Sequence, residues 1–137
     1  MKSIRRISAL ALAATALLTP AVARADTPYA QASAMVEADG SVARSKNVVD
    51  VWRPHRGTYC VLVDKSVDLH GAVAIHATPE GWYEHPRSLS VQLGSRTCHD
   101  HHHGGHFRTD DQFRTIAVHS QTSHGYRADA AFYLTVS

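Results

Sequence analysis

Cysteine is nearly absent from this chain: Cys60 and Cys98 are the only two. That excludes a densely cross-linked miniature fold and a four-cysteine zinc site. Aromatic residues are sparse as well, at 7%. No stripe of Lys and Arg is interleaved with them, which removes the usual case for nucleic-acid binding. Beyond residues 7–18 there is no long apolar run, so the sequence offers no membrane span. Enzyme signatures are also missing. There is no His-Glu-x-x-His, no Gly-x-Ser-x-Gly and no phosphate-cradling glycine loop. Ser120, Ser123 and His124 are not spaced as a catalytic triad. These absences point to a non-enzymatic protein.

What is present begins with a secretory signature. Lys2, Arg5 and Arg6 precede an Ala/Leu-rich stretch over residues 7–18, and Ala23-Arg24-Ala25 has the small-x-small form of a cleavage site. Residues 1–25 are read as a cleaved signal peptide and residues 26–137 as one β-domain, secreted to an extracellular or periplasmic space. Arg5-Arg6 fits the ordinary basic start of such a signal better than a twin-arginine motif. The signal takes four basic residues and no acidic one with it. The formal +2 of the whole chain therefore becomes a slight acidic excess in the mature domain.

An oxidising compartment makes a Cys60–Cys98 disulfide the default. Closing a loop of about 38 residues would contribute roughly 4 kcal/mol in the chain-entropy model. The competing arrangement is two free thiols, with Cys98 serving as a metal ligand.

The mature chain reads as short strands separated by Gly, Pro, Asp and Ser turns. Residues 33–38 and 41–43 flank Asp39-Gly40, a hairpin turn pair. Residues 48–52 are β-branched, with Pro54 and Gly57 expected to end the strand. Residues 58–63 are apolar on both faces, which predicts a central, covered strand. Residues 72–77 place Val73 and Ile75 on one face and are expected to break at Thr78-Pro79. Residues 88–93 alternate cleanly, with Leu89, Val91 and Leu93 inward. Residues 113–119 and 131–136 complete the set, the last with Phe132, Leu134 and Val136 inward. No stretch after the signal has sustained helical periodicity. The expected fold is an all-β antiparallel sandwich or barrel of seven to eight short strands with one disulfide.

Ala38-Asp39-Gly40-Ser41-Val42-Ala43-Arg44-Ser45, then residues 48–51, then Gly57-Thr58-Tyr59-Cys60-Val61 resembles a small β-module of secreted bacterial and phage tail-type proteins. The ending Ala131-Phe132-Tyr133-Leu134-Thr135-Val136 is similar to the way such modules finish. The resemblance implies a β-fold and no defined activity, and the histidine-rich segment lies outside its pattern.

That segment is the one biased stretch: Cys98-His99-Asp100-His101-His102-His103-Gly104-Gly105-His106. Imidazole binds Zn, Cu or Ni near neutral pH because one ring nitrogen is free of a proton. In an extended segment His99, His101 and His103 would project to one side, and Gly104-Gly105 lets His106 fold back toward them. Asp100, Asp110 and Asp111 add oxygen ligands or partners for the imidazoles. The candidate metal ligands are thus His99, His101, His103 and His106, and the expected ligand is a divalent transition-metal ion. His119 and His124 could approach the segment if the next strand follows in a hairpin. His55, His70, His76 and His85 read as surface residues. The same cluster would gain charge on acidification, so a pH-responsive surface is a second use of it. The alternative for the whole protein is a structural or adhesion module with incidental histidines. It would meet a cell-surface or protein partner through Trp82 and Tyr83, in a loop bounded by Gly81 and Pro86; those two residues could equally form a lid over the core.

Overall fold

A computed structural model describes residues 29–81, 86–101 and 109–137. The expected signal peptide therefore lies outside the described residues. Eight strands form two four-stranded antiparallel sheets. The first, in the order β2-β1-β8-β5, is built from β1 (Ala32–Val36), β2 (Val42–Lys46), β5 (Ile75–Pro79) and β8 (Phe132–Val136). The second, in the order β3-β4-β7-β6, contains β3 (Val48–His55), β4 (Thr58–Val63), β6 (Arg87–Leu93) and β7 (Thr115–Thr122). The sheets pack as a sandwich, as the sequence pattern predicted. Among the described residues no helix is long and apolar enough to cross a membrane.

The core follows from period-two alternation. Ala32, Ala34 and Val36 of β1 and Phe132, Leu134 and Val136 of β8 meet Tyr59, Val61 and Val63 of β4 and Ile116 and Val118 of β7. Tyr59 and Phe132 sit edge to face with ring centroids 5.1 Å apart, a favoured aromatic geometry. Full burial of a side chain as large as Phe132 or Leu134 is worth about 2 kcal/mol or more. Leu89 and Val91 pack against this core from β6, whereas Leu93 at its end is exposed.

A second set of contacts holds the two sheets in register. The Tyr59 hydroxyl donates to the Ala38 carbonyl (2.8 Å) and accepts from the Ala130 amide (3.1 Å). Burial pushes its pKa up to about 12, so it stays a neutral donor. Asp129 accepts from the Gly57 amide (2.7 Å) and pairs with Arg53 (2.8 Å). Gly57 turns the β3–β4 hairpin with φ +67°, a conformation that glycine adopts without penalty. A Cβ there would stand 2.6 Å from the Ser120 carbonyl oxygen.

Several boundaries differ from expectation, and two share a cause. β3 runs through Pro54 to His55, with an irregular register between Trp52 and His55, and β5 starts at Ile75 and includes Pro79. Both are edge strands, where a missing amide donor breaks no ladder bond. β2 extends to Lys46 although all five of its residues are exposed; it is held by pairing with β1 rather than by burial. Two one-turn helices, α1 (Arg96–Asp100) and α2 (Thr109–Phe113), lie between β6 and β7. Residues 113 and 114 accordingly precede the strand rather than start it.

Candidate histidine site on the outer face of a sheet

Tyr59, Val61 and Val63 face the core, so Thr58, Cys60 and Leu62 face the other way. All six residues of β4 are nevertheless buried; on the outer face Cys98, at the start of the histidine-bearing segment, and Trp52 pack over Cys60. Gly94, at φ +64°, turns the chain after β6, and its amide donates to the Thr115 carbonyl (3.2 Å). The Ser95 carbonyl then accepts from the amides of Cys98 (3.2 Å) and His99 (3.4 Å), which closes the single turn of α1. This turn drops Cys98 onto the sheet. Cys98 forms a disulfide with Cys60, with Cα atoms 5.6 Å apart, and the expected pairing is thereby present. Cys60, Cys98 and Ala117 are fully buried and Trp52 packs against them.

The far end of the segment is anchored separately. Arg114 pairs with Asp111 and donates to the Val63 carbonyl (2.6 Å), while the Thr115 hydroxyl donates to the Asp111 carbonyl (2.6 Å). The Asp111 carboxylate is thus engaged by Arg114, whereas Asp110 is exposed in the first turn of α2.

Of the four candidate ligands, His99 and His101 lie among the described residues, and both are exposed. His103 and His106 lie outside them, as do Trp82 and Tyr83. The extended geometry expected for His99 and His101 does not hold. His99 is in α1 and His101 caps its end. Residues two positions apart along a helix lie about 200° apart around its axis, so the pair diverges. His99 Nδ1 lies 3.0 Å from Asp100 Oδ1, the carboxylate–imidazole contact that commonly orients a ligating ring. His101 meets a residue from elsewhere. Its ring lies 4.5 Å, centroid to centroid, from that of His55, with the planes at 73°.

His55 is exposed, as expected, but its contact with His101 was missed. The signal was there in combination. A two-residue Arg56-Gly57 turn pairs His55 with Thr58. Thr58 shares a face with Cys60, and Cys60 holds Cys98 three residues before His101. His119 occupies the same face one strand further on: it pairs with Thr58, and its Nδ1 lies 3.4 Å from the Thr58 hydroxyl. Burial, and then the positive charge of Arg127, lowers the His119 pKa. His70, His76 and His124 are exposed on other turns and strands.

Among the described residues no three His, Cys, Asp or Glu side chains are grouped so as to hold a metal ion. A cavity of about 290 Å³ lies between β2 and β3, lined by residues that include Val42, Ser45, Val48 and Asp50 and no histidine. Set against known protein families, curated proteins and solved structures, the chain matches none of them.

Proposed function

We propose that this is a secreted, non-enzymatic binding protein. Its ligand is a divalent transition-metal ion, Zn²⁺, Cu²⁺ or Ni²⁺, held through His99, His101, His103 and His106. The observation that carries the proposal is the anchoring of the histidine-bearing segment at both ends. The Cys60–Cys98 disulfide fixes one end and the Asp111–Arg114–Val63 contacts fix the other. A tethered segment has less conformational entropy left to lose when it closes on an ion. His99 already has a carboxylate against Nδ1, a contact of the kind that orients a ligating imidazole.

Calorimetric titration of untagged protein with each ion tests this. His101→Ala/His103→Ala should abolish most of the affinity while circular dichroism stays unchanged. Binding should also weaken as pH falls below about 6.5, because imidazole must lose its proton to ligate. Equal affinity in wild type and double variant would overturn the proposal.

A further inference from the structure

We propose that His55, at the end of edge strand β3, is an additional metal ligand that acts together with His101, so that the ion is clamped between α1 and the sheet. This rests on the metal-binding function proposed above and adds a residue from a distant part of the chain.

The two imidazoles come together through fixed elements. His55 closes the β3–β4 hairpin. Gly57 in that hairpin is held by the Asp129 carboxylate (2.7 Å) and by the Ser120 amide, which donates to the Gly57 carbonyl (2.8 Å). His101 is three residues beyond Cys98, and Cys98 is bonded to Cys60 on the strand beside His55. The distance is the one a shared ion needs. Two imidazole nitrogens at about 2.0–2.1 Å from one tetrahedral ion place the ring centroids about 5 Å apart. The observed 4.5 Å is close to that value, and side-chain rotation can aim a nitrogen of each ring at one ion. Both residues are exposed, so water can fill the remaining coordination positions.

Two ligands carried on a cross-linked frame lose little freedom on binding, in contrast to ligands drawn from one flexible loop. The metal-free state gains little from the contact, since an edge-to-face pair of exposed rings is weak beside a metal–nitrogen bond. An ion bridging His55 and His101 would fasten α1 to the hairpin at a second point, beside the disulfide.

The test is titration of untagged protein with Zn²⁺ alone, followed by calorimetry and by imidazole NMR signals. His55→Ala should weaken Zn²⁺ binding by about tenfold or more, whereas His76→Ala, on the other sheet, should leave it unchanged. In wild type, Zn²⁺ should shift the ring signals of His55 and His101 together. That readout does not depend on any variant folding. If wild type binds Zn²⁺ but His55→Ala binds equally well and the His55 signals stay still, the clamp is wrong and the loop site stands without it. If wild type binds no Zn²⁺, the metal function and the clamp fall together.

Discussion

The two sheets each have a covered central strand, β4 in one and β8 in the other, yet they are covered differently. β8 alternates: Phe132, Leu134 and Val136 are buried, while Tyr133 and Thr135 between them are not. β4 is buried at every position. The difference is the segment between β6 and β7, which lays Cys98 on Cys60 and Arg114 on the Val63 carbonyl. The described ends of that segment are therefore packed against the sheet. They complete one face of the sandwich, and His99 and His101 are carried there. On the metal-binding function proposed above, ligands on such a layer would share the sheet's rigidity while staying open to water.

The largest test of this contrast removes the staple. Cys60→Ala/Cys98→Ala should lower the unfolding free energy by about 4 kcal/mol, read from denaturant melts. Hydrogen exchange should show α1 and the outer-face contacts of β4 loosening before the β1–β8 pairs do. If stability barely changes, or if both sheets loosen alike, α1 is not the cover described here.

A smaller effect separates the two faces of β4. Tyr59 reaches across the sandwich to Ala38 and Ala130. Tyr59→Phe keeps the ring against Phe132 but leaves the buried Ala130 amide without that partner. The expected cost is about 2 kcal/mol, with metal binding unchanged. A variant that kept its stability and lost its metal affinity would reverse the roles assigned to the inner and outer faces.

Much of this architecture was legible in the chain. Thr58 to Val63 is apolar on both faces, and it is the central covered strand. The alternations around Leu89 and Phe132 predicted which side chains face inward, except at Leu93, which is exposed at the end of its strand. The compartment argued from residues 1–25 predicted the Cys60–Cys98 bond. What escaped was governed by pairing rather than by periodicity. Pro54 and Pro79 ended strands on paper, but they sit on sheet edges, where the lost donor costs nothing. β2 has no buried residue to reveal its length. One helical turn has no period to detect, so His99 and His101 read as neighbours on one side when they diverge. The His55–His101 contact requires the hairpin register and the disulfide to be known at once; neither residue signals the other along the sequence.

The smallest expected effect concerns His119, on the same outer face. Burial, followed by the charge of Arg127, lowers its pKa in the folded protein, so the native state favours neutral imidazole. The unfolded chain, with a histidine pKa near 6.5, takes up the proton more readily. Unfolding is therefore helped by acid. The stabilisation is fully present above about pH 6.5 and is lost as pH falls from there toward the lowered folded value. Asp39 and Asp64 also have lowered pKa values, from hydrogen bonds donated by Ser41 and Ser66. Their losses begin only near the ordinary carboxyl range, about pH 4, and leave the histidine window clear. His119→Asn should flatten the stability–pH curve just below pH 6.5 relative to wild type, measured by urea melts at closely spaced pH values without metal. The same slope in both proteins would mean that His119 is no better shielded than a histidine in the unfolded chain. The cover over this face would then stop short of the Thr58–His119 pair.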